Sequence, residues 1–374
     1  MPVSLRAPVS LKEWDTPRLH RTVQLLISNL VDLKDSSGEF LLRLDDGRVI
    51  DTKGWNDWEW THGIGLYGIH QYYQLTGDAR CLQIVKDWFS NRFAAGTPTK
   101  NVNTMAPFLT LANLYEASGE PTYLPYLDIW AEWVMNDMPR TEEGGLQHIV
   151  FNSENPQQLW DDTLMMCVLP LARIGQVLGR PQYLEEARRQ FLLHVKYLHD
   201  RQTGLWFHGW TFDGRHNFAE ARWARGNCWV TIAIPEFIEM LNLQPGDALR
   251  EFLIDTLEAQ VRTLQKHQDA SGLWHTLIDD ESSYLEASAT AGFAYGILKA
   301  VRRRYLPQSY AETGLRAVQG VLANIADNGE LRNVSFGTAM GSDLEFYRKI
   351  PLTPMPYGQA MAMLCLAEYL RTRI

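Results

Sequence analysis

The chain has 374 residues, of which 45% are hydrophobic and 21% charged, so it has ample material for a large core. A formal net charge of −9 argues against a nucleic-acid partner, which selects a basic face. It still permits a local positive pocket for a small acidic ligand.

Helical periodicity dominates in chain order. Amphipathic or apolar patterns run over 18–33, 58–75, 82–93, 104–117, 123–135, 159–178, 183–198, 227–241, 248–266, 285–305, 311–325 and 357–372, with no convincing strand-rich block between them. The patterns alternate in kind, as internal repeats do. One set is apolar and rich in small residues on every side, as in Ala287-Ser288-Ala289-Thr290-Ala291-Gly292. Such helices are buried. The other set is amphipathic, as in Tyr183-Leu184-Glu185-Glu186-Ala187-Arg188, and belongs outside.

Six inner–outer pairs imply an all-α toroid, an (α/α)6 barrel. A length rule of about 150 residues per domain suggests two or three domains, but barrels run long as single units. One catalytic domain over 1–374 is therefore expected, with residues 1–16 as an N-terminal extension. That segment lacks a basic start followed by an apolar run, and nothing in the chain nears the roughly 18 apolar residues of a membrane span. A cytoplasmic protein with no membrane partner is expected. Cys81, Cys167, Cys228 and Cys365 are widely spaced within helical patterns, which suits free buried thiols.

Long outer-to-inner connections gather on one face, where the buried helices begin. Function concentrates on such loops, and helix N-termini offer free donors to a carboxylate ligand. The mouths read Trp55-Asn56-Asp57-Trp58-Glu59-Trp60-Thr61-His62, Asn101-Val102-Asn103-Thr104, Trp160-Asp161-Asp162-Thr163, Arg222-Trp223-Ala224-Arg225 with Trp229, Tyr284-Leu285-Glu286, and Met355-Pro356-Tyr357. His208 and Trp210 lie in a long loop. Many of the 13 tryptophans fall here, and aromatic faces stack on sugar rings as readily as they plug cores. Asp161 and Asp162 both suit the first turn of a helix. Asp162 directly precedes an apolar helix, where desolvation raises a carboxyl toward the range a general acid needs. Arg225 enters a buried helix and needs an anionic partner, either a substrate carboxylate or an internal Asp or Glu.

The runs Trp160-Asp161-Asp162-Thr163-Leu164-Met165-Met166, Trp206-Phe207-His208-Gly209-Trp210, Trp223-Ala224-Arg225-Gly226-Asn227-Cys228-Trp229 and Glu286-Ala287-Ser288-Ala289-Thr290-Ala291 resemble glycoside hydrolase family 105, the unsaturated rhamnogalacturonyl hydrolases. The resemblance implies an (α/α)6 barrel acting on a small acidic oligosaccharide, as monomer or homodimer. It also implies release of a 4,5-unsaturated uronic acid from the non-reducing end of lyase-generated pectin fragments. No His/Asp/Glu cluster has metal-ligand spacing, so no metal or cofactor is expected. Asp162 then protonates the enol ether double bond, and water adds to the adjacent carbon. His208 and Arg225 resemble residues near the unsaturated ring, and Trp223 and Trp229 its stacking walls. His148 matches a "Gly-Gly-x-x-His" segment, although Gln147 and Ile149 depart from the family's frequent Trp and Lys. Asn103 stands where the family often has aspartate. Trp60, His62 and Trp210 complete the binding candidates.

Two other enzymes fit the same barrel. A sugar 2-epimerase would use paired histidines such as His62, His208 or His275. An inverting glycosidase would pair Asp162 with Glu286 across the bond. A non-catalytic oligosaccharide-binding toroid is a further reading, because fold alone does not set function.

Overall fold

The computed structural model describes residues 8–35, 37–44 and 47–374. Of the expected N-terminal extension, residues 1–7 lie outside the described residues. In chain order the elements are α1 (Thr16–Asp32), β1 (Leu41–Arg43), β2 (Val49–Asp51), α2 (Trp60–Thr76), α3 (Ala79–Ala95), α4 (Val102–Met105), α5 (Phe108–Ser118) and α6 (Leu124–Glu132). Then come β3 (Gln158–Trp160), α7 (Leu169–Val177), α8 (Pro181–Leu198), β4 (Gly209–Thr211), α9 (Ala224–Met240) and α10 (Ala248–Lys266). The chain ends with β5 (Trp274–His275), β6 (Leu285–Glu286), α11 (Ala287–Arg302), α12 (Ala311–Asn324), α13 (Leu344–Arg348) and α14 (Pro356–Arg371).

The expected alternation is realised as two rings. α2, α4 with α5, α7, α9, α11 and α14 form the inner ring, and α1, α3, α6, α8, α10 and α12 the outer one. Inner α11 buries every residue from Ala287 to Val301, whereas outer α10 buries one stripe, Leu253, Thr256, Leu257, Gln260, Val261 and Leu264. That contrast separates a helix packed on all sides from one that faces water. Small residues let the inner helices close up: a Cβ on Gly296 of α11 would sit 2.2 Å from the Thr231 carbonyl oxygen of α9. The inner-to-outer turns are short. Gly77, at φ +71°, ends α2, and the next residue, Asp78, caps α3 by accepting from the Arg80 amide at 2.9 Å. All four cysteines are free and buried.

The structure corrects the helical reading at the mouths. The 159–178 pattern begins as strand β3, turns at Asp161-Asp162 and continues as a π-helical turn, Leu164–Val168, before α7. The 285–305 pattern begins as β6, and 104–117 is split at Pro107. Three antiparallel two-stranded sheets occur among the described residues. Two of them, β3·β4 and β5·β6, tie long loops to the starts of inner helices. Pairings of two or three residues carry no periodic signal, so hydrophobic period could not reveal them. Among the described residues, no helix is long and apolar enough to cross a membrane.

Candidate active site

Asp162 is held from both sides. Trp160 pairs with Gly209 across β3·β4, and the Asp161 amide donates to the His208 carbonyl at 3.0 Å. The Asp162 carbonyl then accepts from the Met165 and Met166 amides at 3.0 and 2.9 Å, opening the π-helical turn. π-Helical turns recur at functional sites. The Asp162 side chain keeps 18% of its surface open to a cavity of about 490 Å³ at the barrel mouth. Burial pushes its carboxyl up to about 7, although its own amide, the nearby Arg225 charge and the Thr163 amide favour the ionised form. His148 lies beside it, with Nδ1 3.4 Å from Asp162 Oδ1 and 2.9 Å from Thr163 Oγ1. Its ring stacks on Trp160 at 4.0 Å. Burial, with His208 and His194 nearby, holds His148 well below the ordinary histidine range, so its imidazole is neutral.

Arg225, in the first turn of α9, is 1% exposed. Its guanidinium donates to the Ser335 carbonyl at 2.9 Å, to the Ser335 hydroxyl and to the Phe336 carbonyl at 2.8 Å. It also lies 4.6 Å from the Trp223 ring and 4.9 Å from Tyr357. No carboxylate among the described residues stands at ion-pair distance from it. Its charge is therefore held by carbonyl dipoles and π-faces, an arrangement that favours an incoming anion. Trp60 stacks on Tyr357 at 4.7 Å and meets Trp229 edge-on at 5.8 Å, so aromatic rings from α2, α9 and α14 close the inner end of the cavity.

Glu59 and Asn103 also line this cavity. Glu59 caps α2, accepting from the Trp60 amide at 2.8 Å, and Asn103 Nδ2 donates to its other oxygen at 3.3 Å. Burial, reinforced by Asp57, pushes the Glu59 carboxyl up to about 7 in spite of these donors. Sequence reasoning passed over Glu59, yet the signal that selected Asp162, a carboxylate directly before an all-apolar helix, selects Glu59 as well. Tyr357, Phe336, Met340, Phe218 and Phe151 were missed too; all but Tyr357 reach the cavity on long loops whose course local pattern does not give.

Not every candidate reaches the cavity. His62 completes the cap of α2: Nδ1 accepts from the Glu59 amide at 3.0 Å and Nε2 lies 2.6 Å from the Gly54 carbonyl, so both nitrogens are occupied. His208 sits behind the wall, its ring centroid 4.5 Å from Trp223 and 5.2 Å from Trp160, with Nδ1 2.8 Å from the Tyr347 hydroxyl. Burial and Arg225 push it down to about 3. Trp210 turns to the far face of β4 and packs on Tyr197 at 5.2 Å. The alternation of a strand explains this, because neighbouring residues face opposite sides. Asp161 is wholly buried behind Asp162; a Cβ on Gly226 would strike its Oδ2 at 2.3 Å.

These placements remove the partners that the rival enzymes require. Neither His62 nor His208 reaches the cavity, and His275 Nδ1 lies 2.5 Å from the Ser283 carbonyl. The Glu286 carboxylate is consumed as the cap of α11, accepting from the Ser288 amide and hydroxyl at 3.1 and 2.6 Å, the Ala289 amide at 2.5 Å and the Ser335 amide at 2.9 Å.

Comparison with known proteins agrees with this arrangement. Residues 33–373 match Glycosyl Hydrolase Family 88. The unsaturated rhamnogalacturonyl hydrolase YesR of Bacillus subtilis is 33% identical over 320 residues, covering 84% of this chain and 90% of its own. Crystal structures from Salmonella enterica serovar Paratyphi A and Klebsiella pneumoniae, each described as a possible member of the GH105 family, superpose with a TM-score of 0.96. They are 62% and 63% identical and cover 99% of this chain and 97% of theirs. The chain therefore belongs to the family 88/105 glycoside hydrolases, enzymes built on an (α/α)6 barrel.

Proposed function

We propose that this enzyme releases a 4,5-unsaturated uronic acid from the non-reducing end of lyase-generated pectin oligosaccharides, with Asp162 as the acid. The observation that carries this reading is the pairing, in one cavity, of a carboxyl held near neutrality with a buried guanidinium that has no carboxylate partner among the described residues. The first can deliver a proton at physiological pH. The second favours a substrate carboxylate. Asp162 protonates C4 of the enol ether, and the ring oxygen shares the charge that develops at C5. Water adds at C5, and the proton it loses returns the carboxylate to its acid form. The C5–ring-oxygen bond of the hemiketal then breaks. C1 is left as a hemiacetal that collapses to the aldehyde and frees the remaining sugar as an alcohol. No carboxylate pair flanking the glycosidic bond is needed.

His148 orients Asp162 as a neutral neighbour. Trp60, Trp223 and Trp229 supply faces for the sugar, and Asn103 a polar contact. Residues 1–374 form one catalytic domain with residues 1–16 as an extension. The enzyme works in the cytoplasm, as monomer or homodimer, on small acidic oligosaccharides rather than nucleic acid. The test is the ultraviolet absorbance of a lyase-treated rhamnogalacturonan digest. Loss of the enol ether band with wild type but not with Asp162→Asn supports both reaction and acid. A persistent band with wild type rejects the substrate.

A further inference from the structure

The inner elements follow one another around the ring as α2, α4 with α5, the π-helical turn with α7, α9, α11 and α14, which closes on α2. The polar groups of the cavity keep that order: Glu59 before α2, Asn103 in α4, Asp162 before the π-helical turn and Arg225 in α9. The elements that carry Glu59 and Arg225 thus stand three places apart in a ring of six, with those of Asn103 and Asp162 between them. A 4,5-unsaturated uronic acid carries its groups in the same sequence. Its carboxylate is on C5, the proton-accepting carbon is C4, and hydroxyls follow on C3 and C2, with C2 across the ring from C5.

Glu59 forms a capping box with His62 at the start of α2, its side chain accepting from first-turn amides while His62 Nδ1 accepts from the Glu59 amide, but it differs from an ordinary cap in residue type and place. Ser, Thr, Asp and Asn are the favoured caps, and Asn101 caps α4 in that ordinary way, accepting from the Thr104 amide at 3.0 Å. Glu59 is a carboxylate only 4% exposed that lines a sugar-sized cavity, with backbone amides of α2 and Asn103 as donors and no cation at ion-pair distance among the described residues. Each carboxylate oxygen can accept a second hydrogen bond.

We propose that Glu59 and Asn103 form the hydroxyl-reading edge of the cavity, Asn103 taking the 3-hydroxyl and Glu59 the 2-hydroxyl of the terminal unsaturated ring. This rests on the unsaturated-uronide reading and assigns the side of the ring opposite Arg225. With the diol gripped there and the carboxylate held at Arg225, C4 is presented to Asp162. Glu59 is thus a substrate-positioning residue whose effect appears in turnover as well as in binding.

The test follows kcat/KM by ultraviolet absorbance for an unsaturated uronyl disaccharide and its synthetic 2-deoxy counterpart. Wild type should prefer the hydroxylated substrate by about 10- to 100-fold, the weight of a hydrogen bond to an ionisable group. Glu59→Gln should lose most of that preference, the ratio of kcat/KM between the two substrates falling to within about threefold of one whatever the variant's absolute rate. Equal losses by Glu59→Gln on both substrates would reduce Glu59 to a helix cap and overturn the proposal. Equal use of both substrates by wild type would overturn it without any variant. Failure of wild type on both would sink the unsaturated-uronide reading, and this assignment with it.

Discussion

The two ends of the barrel bury charge in opposite ways. At the opposite end, where the inner helices finish, Lys299 is 4% exposed and lies 2.6 Å from both Glu236 and Glu239. Tyr295 donates to Glu236, and Arg302 lies 2.5 Å from Glu368. Burial opposes the Lys299 charge, and Glu236 and Glu239 more than offset it, leaving the ammonium above its ordinary range. At the open end, Arg225 has carbonyls and rings but no carboxylate, and Asp162 and Glu59 have burial without a paired cation. Charges paired within the chain hold helices together. Charges left unpaired around a cavity are held ready for a ligand.

Breaking the open end at its acid should have the largest effect on turnover. Asp162→Asn is isosteric and removes the proton, so kcat should fall about 10²- to 10⁴-fold with the thermal midpoint unchanged. Retention of more than a tenth of the activity would remove Asp162 from its role. The matching break at the opposite end is Lys299→Met. It strands Glu236 without its cation and should cost about 3–5 kcal/mol in denaturant unfolding, while the folded fraction keeps wild-type kcat. A large kcat defect in that variant would contradict the division between the two ends.

Arg225→Ala should come next, raising KM about 10- to 100-fold through loss of a charge-assisted carboxylate contact. An unchanged KM would make Arg225 a structural support for Ser335 and Phe336. The pH profile gives a smaller, graded effect. The acid must be protonated, and its carboxyl sits near 7, so kcat/KM should be flat on the acid side and fall about tenfold per unit above it. An alkaline limb centred near 4 would mean that burial does not set this acid.

Periodicity and residue size were enough to read the rings. The all-round apolar run at Ala287–Ala294 and the amphipathic stripe at Tyr183–Leu192 mark inner and outer helices without tertiary information. The same logic reached Asp162 and Arg225, because a charge entering a buried helix is anomalous wherever the chain goes. It faltered where a residue's facing depends on short strands. His208 and Trp210 sit in a motif at the barrel mouth, but the pairing of Trp160 with Gly209 fixes which side each occupies, and neither lines the cavity. It also faltered for Phe336 and Met340, which arrive on a connection of some thirty residues with little regular structure between α12 and α14.

Trp210 and Trp60 carry the smallest prediction and the finest test of that lesson. Both are half-buried tryptophans in mouth motifs that read alike as sequence. Trp60 lines the cavity, stacked on Tyr357, whereas Trp210 packs on Tyr197 outside it. Trp210→Phe trims a contact on the outer side of the wall and should cost about 1 kcal/mol of stability with kcat and KM unchanged. Trp60→Phe shortens the platform on which the sugar lies and should raise KM several-fold at similar stability cost. If both substitutions altered KM alike, β4 would have to present Trp210 to the substrate, and the register of Leu159 against Trp210 in this sheet would be the feature to re-examine.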